Sequence, residues 1–152
     1  MHIYGKGDSR DAIANLLRSL ALEDRVFLHD MLPKERIAEV MANADLAVVP
    51  KRNDSFGGEA FSTKTLEFMS LGVPVLVAAT RIDQYYFNDS VVKFFTPEDE
   101  TDLADKMLAL IEDEQQRQRL VTNAAKFVED YTWENKKHLY LDLVDSLASG
   151  RR

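Results

Sequence analysis

Two glutamates frame the stretch whose residue types could do chemistry: Glu59-Ala60-Phe61-Ser62-Thr63-Lys64-Thr65-Leu66-Glu67. Ser62 is a good helix N-cap, and Phe61 with Leu66 occupies the N′ and N4 positions of a hydrophobic staple. The pattern therefore predicts a helix beginning at Thr63. The first amides of such a helix lack intrahelical acceptors and its dipole favours negative charge, so with Lys64 beside them they suit an anion. Glu59 lies just before the helix and Glu67 in its second turn. Acids flanking an anion site make sense if they accept hydrogen bonds from sugar hydroxyls. The same residues also describe a capped core helix in which Glu67 pairs with Lys64 at i, i+3, so residue chemistry alone leaves both readings open.

A second, weaker signal is Gly5-Lys6-Gly7-Asp8, which follows the first apolar run and opens a helical pattern. Two glycines there would let backbone approach a phosphate. The third glycine of a dinucleotide fingerprint is missing, since the chain continues Ser9-Arg10-Asp11. A tight turn and a ligand loop fit about equally well.

Other chemistries fit poorly. The 152 residues contain no cysteine, which removes disulfides and thiolate metal sites. The three histidines, His2, His29 and His138, show no ligand spacing. No Asp-x-Asp occurs to chelate a metal-bound diphosphate, and Gly-x-Ser-x-Gly is absent. A phospho-receiver domain would need an aspartate where Pro50 stands. The net charge of −7 and a pI near 5.0 argue against nucleic acid as the main partner. That charge is confined to residues 98–114, where eight acids face the single base Lys106, a pattern that suits a solvated helix with acids near its N-terminus. The longest apolar run, Leu71 to Ala79, is too short to span a bilayer, and no signal peptide begins the chain. The expectation is a soluble, cytoplasmic domain.

The elements that must position these residues follow from apolar periodicity. Ile3-Tyr4, Val26-Phe27-Leu28, Leu46-Ala47-Val48-Val49, Val75-Leu76-Val77-Ala78-Ala79 and Val91-Val92-Lys93-Phe94-Phe95 read as strands. The middle runs lack polar alternation, as strands covered on both faces do. Ile13/Leu16/Leu17/Leu20 and Ile37/Val40/Met41/Ala44 read as amphipathic helices. Such alternation implies an α/β fold with a parallel sheet and right-handed crossovers. After Pro97 three helical stripes follow: Leu103/Met107/Leu110/Ile111, Leu120/Ala124/Phe127/Tyr131 and Tyr140/Leu143/Val144/Leu147. Residues 1–152 thus read as one domain, alternating over 1–97 and helical over 98–152. Trp133, Tyr140 and the Tyr85-Tyr86-Phe87 cluster are expected to pack rather than to offer stacking platforms. In open parallel sheets ligands bind beyond the carboxyl ends of the strands. This directs attention to Gly5-Lys6-Gly7, to His29-Asp30-Met31-Leu32-Pro33 and to the stretch from Pro50 to Phe61.

Glu59-x7-Glu67, followed by Phe68-Met69-Ser70-Leu71-Gly72-Val73-Pro74-Val75, resembles the E-x7-E segment of family-4 (group 1) retaining glycosyltransferases. Gly-x-Gly after the first strand, Asp24-Arg25-Val26-Phe27-Leu28, Ala44-Asp45-Leu46-Ala47-Val48-Val49-Pro50 and Tyr131-Thr132-Trp133 fall in that family's order. The resemblance covers essentially the whole chain. It implies the GT-B fold, in which two Rossmann-like domains enclose the active site, and this chain resembles the C-terminal, donor-binding one. By that resemblance Glu67 accepts from the donor's ribose hydroxyls and Glu59, the catalytic candidate, contacts the transferred sugar. The amides of Phe61, Ser62 and Thr63, with Lys64, approach the diphosphate and sugar, Gly5 and Gly7 join the donor site, and backbone near Met31 and Leu32 meets the base. Ser62 stands where many members carry glycine.

The family's C-terminal domain opens with a further strand and helix, whereas Met1 starts directly in what resembles the second strand. The missing strand would be central, between residues 1–4 and 45–49, and the N-terminal domain is expected from elsewhere. The resemblance thus implies the donor-binding half of an enzyme that moves a sugar from a nucleotide diphosphate-sugar to a polysaccharide or lipid-linked acceptor. The half is expected to be inactive alone, to need no cofactor or metal, and to act with the missing N-terminal domain or another chain. The parent enzyme could associate peripherally with a membrane. Two other functions remain compatible: a non-catalytic nucleotide- or partner-binding module, and part of a GT-B-fold nucleotide-sugar epimerase.

Overall fold

In the computed structural model, which describes residues 1–150, the apolar runs form five short strands separated by helices, and three further helices close the chain. The chain divides into two compact units, Met1–Val40 and Met41–Arg152. Every strand ladder is parallel, in a two-stranded and a three-stranded sheet.

The first unit holds β1 (His2–Tyr4), α1 (Arg10–Ser19), β2 (Phe27–His29) and most of α2 (Lys34–Ala42). β1 pairs with β2 so that His2 lies opposite Phe27 and Tyr4 opposite His29. Side chains two apart share a sheet face, and these four rings stack as a ladder, Phe27 on His2 at 5.1 Å, His2 on His29 at 5.1 Å and His29 on Tyr4 at 4.4 Å. The Gly5 amide continues the pairing by donating to the His29 carbonyl at 3.2 Å. Arg10, from the first turn of α1, donates to the Gly5 and His29 carbonyls at 3.1 and 3.0 Å, tying together the carboxyl ends of both strands.

The second unit is built around β4. Its order is β3 (Ala47–Val49), α3 (Thr63–Ser70), β4 (Val75–Ala78), α4 (Arg81–Tyr86), β5 (Lys93–Phe95), α5 (Glu100–Glu112), α6 (Glu114–Glu129) and α7 (Trp133–Ala148). β4 lies between β3 and β5, and all four of its residues are buried. Alternation sends them into two cores. Val75 and Val77 join Val49, Met69, Val92 and Ala124, while Leu76 and Ala78 join Phe95, Leu110 and Leu120. A strand with helices over both faces has no polar side, which explains the unbroken apolar run. Burying each of the valine and leucine side chains contributes about 1.5–3 kcal/mol relative to leaving it exposed.

The acidic stretch becomes helix starts. Asp99 caps α5 by accepting from the Asp102 amide, and Asp113 caps α6 by accepting from the Gln116 amide. With Glu100, Asp102 and Glu114 in first turns, the negative charge sits at the positive ends of two helix dipoles.

Three details differ from the periodicity reading. β5 starts at Lys93, because the Val91 and Val92 amides donate to the Asn88 carbonyl in a turn, although both side chains are buried. The short helix α4 gives no apolar stripe long enough to announce it. Phe87 packs as expected, but Trp133, Tyr140 and Tyr85 are 61%, 58% and 79% exposed, since α7 contributes no buried residue and Tyr85 lies on the outer side of α4. Among the described residues no helix is long and apolar enough to cross a membrane.

Candidate functional site

The loop from Pro50 to Phe61 leaves the carboxyl end of β3 and delivers the chain to α3. Its turn is set by Asp54, whose Oδ1 accepts from the Phe56 and Gly57 amides at 3.2 and 2.6 Å, while Arg52 pairs with Oδ2 at 3.1 Å. The Gly57 amide, foremost, holds the Asp54 carboxyl below its ordinary value of 3.8; desolvation opposes it, and Arg52 and the Phe56 amide add to the lowering. The next turn closes through Gly58 N–H to the Asp54 carbonyl at 2.8 Å and Ala60 N–H to the Phe56 carbonyl at 2.9 Å. A Cβ on Gly57 would lie 2.2 Å from the Arg52 carbonyl oxygen, and one on Gly58 2.8 Å from that of Asp54, so the backbone crosses itself where only glycine fits.

α3 begins at Thr63, and Ser62 is its N-cap in extended conformation (φ −98°, ψ 108°). Phe61 and Leu66, at the N′ and N4 positions, both pack against the Val49–Val75–Val77 core. The Ser62 hydroxyl, however, makes no capping bond. The cap is therefore conformational, and its hydroxyl does not occupy the free amides of the first turn.

Between this helix start and the preceding loop lies a pocket of about 440 Å³, lined by Lys51, Arg52, Asp54, Phe56 and Gly57 from the loop and by Ala60, Phe61, Ser62, Thr63 and Lys64 leading into the helix. Lys64 is exposed and forms no ion pair among the described residues. Glu67 is not paired with Lys64; it accepts from the Thr63 hydroxyl at 3.1 Å. Glu59 sits just outside in an ion pair with Arg81 at 3.0 Å. The pocket thus combines a helix N-terminus with Lys51, Arg52 and Lys64 and one carboxylate, Asp54, which is paired with Arg52, while Glu59 and Glu67 lie outside its lining. That chemistry suits a ligand with anionic and hydroxyl-bearing parts.

Of the residues expected from sequence, Phe61, Ser62, Thr63 and Lys64 line this one pocket, with Glu67 a turn further along the helix. Gly5, Gly7, Met31 and Leu32 lie in the first unit. Gly5 has φ +147°, which explains a glycine there, and its amide is engaged by His29. Gly7 has open space around it. Met31 is exposed, and Leu32 sits at the margin of exposure.

Sequence reasoning missed the support beneath the loop. Asp83 is fully buried, and its Oδ2 accepts from the Thr80 hydroxyl and lies 2.5 Å from Lys51 Nζ, itself only 11% exposed. Lys51 also donates to the Ala60 carbonyl at 2.6 Å. Thr80-x-x-Asp83 has capping-box spacing at the start of α4, a signal that could have marked this helix.

Comparison with known proteins gives the site a family. Residues 1–127 match the family model described as glycosyl transferases group 1. D-inositol 3-phosphate glycosyltransferase from Xylanimonas cellulosilytica is 28% identical over 155 residues, which is 99% of this chain but 36% of the relative. Sucrose-phosphate synthase from Thermosynechococcus elongatus superposes with a TM-score of 0.84 at 22% identity, over 98% of this chain and 38% of that one. Anabaena HepE in complex with UDP-glucose does so with a TM-score of 0.82 at 20% identity, over 95% and 40% of the two chains. At these identities the likeness to the solved structures is one of fold, the parallel α/β arrangement of GT-B enzymes. Because the family match spans residues 1–127, a range that includes β3, the pocket loop, α3 and β4, the chain belongs to the group 1 glycosyl transferases, as a counterpart of their C-terminal domain.

Proposed function

We propose that this chain is the donor-binding half of a retaining glycosyltransferase, taking a sugar from a nucleotide diphosphate-sugar for a polysaccharide or lipid-linked acceptor. One observation carries the reading: the free start of α3 opens, with Lys51, Arg52 and Lys64, into a pocket whose lining segment is flanked along the chain by Glu59 and Glu67. The amides of Phe61, Ser62 and Thr63 and the Lys64 ammonium stabilise the departing diphosphate electrostatically as charge develops on it. Glu67, its carboxylate pinned by Thr63, accepts from the ribose hydroxyls. Glu59, held by Arg81, faces the transferred sugar. This division of labour requires no metal, because amides and cations take the charge.

Relatives support the reading. The family is one of glycosyl transferases, and the HepE structure contains UDP-glucose. The chain spans 36% of the length of its Xylanimonas relative; in this reading the other half of the cleft comes from an N-terminal domain or another chain. The 152-residue chain alone is expected to bind donor without turning it over.

The test is calorimetric titration of the chain with UDP, GDP and ADP, repeated with Glu67→Ala. Loss of a charge-assisted hydrogen-bond acceptor should weaken the preferred diphosphate about tenfold or more. Binding that is tight and indifferent to Glu67→Ala would place the site elsewhere.

A further inference from the structure

Asp83 is completely buried, and neither the pocket nor the proposed chemistry uses it directly. Its Oδ2 is engaged by Thr80 and Lys51, while Oδ1 has no partner. A buried ion pair is weak evidence for stability, since apolar residues of similar volume often serve as well. The contacts of this pair point instead to the pocket loop. Lys51 Nζ, fixed by Asp83 at 2.5 Å, donates to the Ala60 carbonyl at 2.6 Å. The Ile82 amide donates to the Gly58 carbonyl at 3.1 Å, and Arg81 Nη1 donates to Glu59 Oε1 at 3.0 Å. The segment Thr80–Asp83 therefore holds three consecutive residues, Gly58, Glu59 and Ala60, immediately before the amides of Phe61, Ser62 and Thr63.

We infer that Asp83 is a positioning residue for donor binding: through Lys51 it fixes the Ala60 peptide, and with it the direction in which the α3 amides meet the diphosphate. This rests on the donor-binding reading. Without the Lys51–Asp83 link the loop keeps its own turns and the Ile82 and Arg81 contacts, but the Ala60 carbonyl is released, and ligand would bear the entropy of ordering that peptide. Asp83 touches no donor atom in this account; it acts through Lys51.

The decisive variant is the double substitution Lys51→Met with Asp83→Leu, which removes both charges together and leaves no unpaired ion in the interior. Two readouts are taken on the full chain, amide hydrogen exchange without ligand and calorimetric affinity for UDP. The expected result is near-wild-type thermal stability, exchange at the hydrogen-bonded Gly58 and Ala60 amides about tenfold faster with β4 unchanged, and UDP bound about tenfold more weakly; because Lys51 also lines the pocket, the exchange readout is the one that reports the clamp. Unchanged exchange in the folded variant would overturn the inference, and so would faster exchange with unchanged UDP affinity. A wild-type chain that binds no nucleoside diphosphate would defeat the donor reading itself, while the exchange readout would still decide the clamp. Should the double variant not fold, Asp83→Asn keeps the volume and removes the charge, and wild-type exchange at the Gly58 and Ala60 amides in that variant would be the contradicting result.

Discussion

Thr63 donates its hydroxyl hydrogen to Glu67 Oε1 at 3.1 Å, so the glutamate is oriented from within its own helix and Lys64 is left to the pocket. Thr63→Val keeps the shape and removes the donor. One neutral-to-charged hydrogen bond is worth about 1.5–3 kcal/mol at most, and here it is exposed, so the expected loss of nucleoside diphosphate affinity is about three- to tenfold. Calorimetry on Thr63→Val beside Glu67→Ala checks it, with the alanine variant the more severe.

Gly57 and Gly7 should respond oppositely to the same substitution. A Cβ on Gly57 meets the Arg52 carbonyl at 2.2 Å, whereas nothing lies within 4 Å of one on Gly7. Gly57→Ala must displace backbone, and overpacking of this kind costs about 1–3 kcal/mol. Gly7→Ala should stay within about 0.5 kcal/mol of wild type. Urea unfolding of the two variants distinguishes them.

Leu76 and Leu147 make a similar contrast in the second unit. Leu76 is fully buried between β4 and the α5 and α6 leucines, while Leu147 is 72% exposed. Leu76→Ala should lower stability by about 2–5 kcal/mol and Leu147→Ala by no more than about 0.5 kcal/mol. Thermal or denaturant unfolding reads both.

The Asp54 turn predicts a pH dependence of defined sign. Its folded-state value lies below 3.8, chiefly because of the Gly57 amide. A depressed carboxyl stabilises the folded loop above its unfolded value and loses that contribution as pH falls through the folded one. The stability gap between wild type and Asp54→Ala should therefore be constant from neutral pH down to about pH 5 and close below pH 4. A gap that widened on acidification would contradict the assignment of the turn.

Much of the framework was legible locally. The α3 start followed from Ser62 with Phe61 and Leu66, and the β3 and β4 runs were apolar because both faces are covered. The acids at 98–114 announced helix starts through their place near Pro97 and ahead of apolar stripes. What escaped was non-local. Lys51 and Asp83 meet only because β3 and β4 are neighbours, and nothing in either segment's periodicity records that pairing. The Gly57-Gly58 crossing depends on where the Arg52 and Asp54 carbonyls turn, a matter of backbone path. Ser62 shows the reverse, a residue whose position was legible but whose hydroxyl does not do what its type suggests. Trp133 and Tyr140 carry apolar area that their helix does not bury.

The central claim is that the α3 start receives a nucleotide diphosphate. Titrating the isotope-labelled chain with UDP and following backbone amide resonances tests it most directly, because it locates the ligand residue by residue. The account predicts saturable shifts greatest at Phe61, Ser62, Thr63 and Lys64, extending to Glu67 and abolished by Lys64→Glu. Saturable shifts centred elsewhere, with the amides of Phe61–Lys64 unmoved, would contradict it.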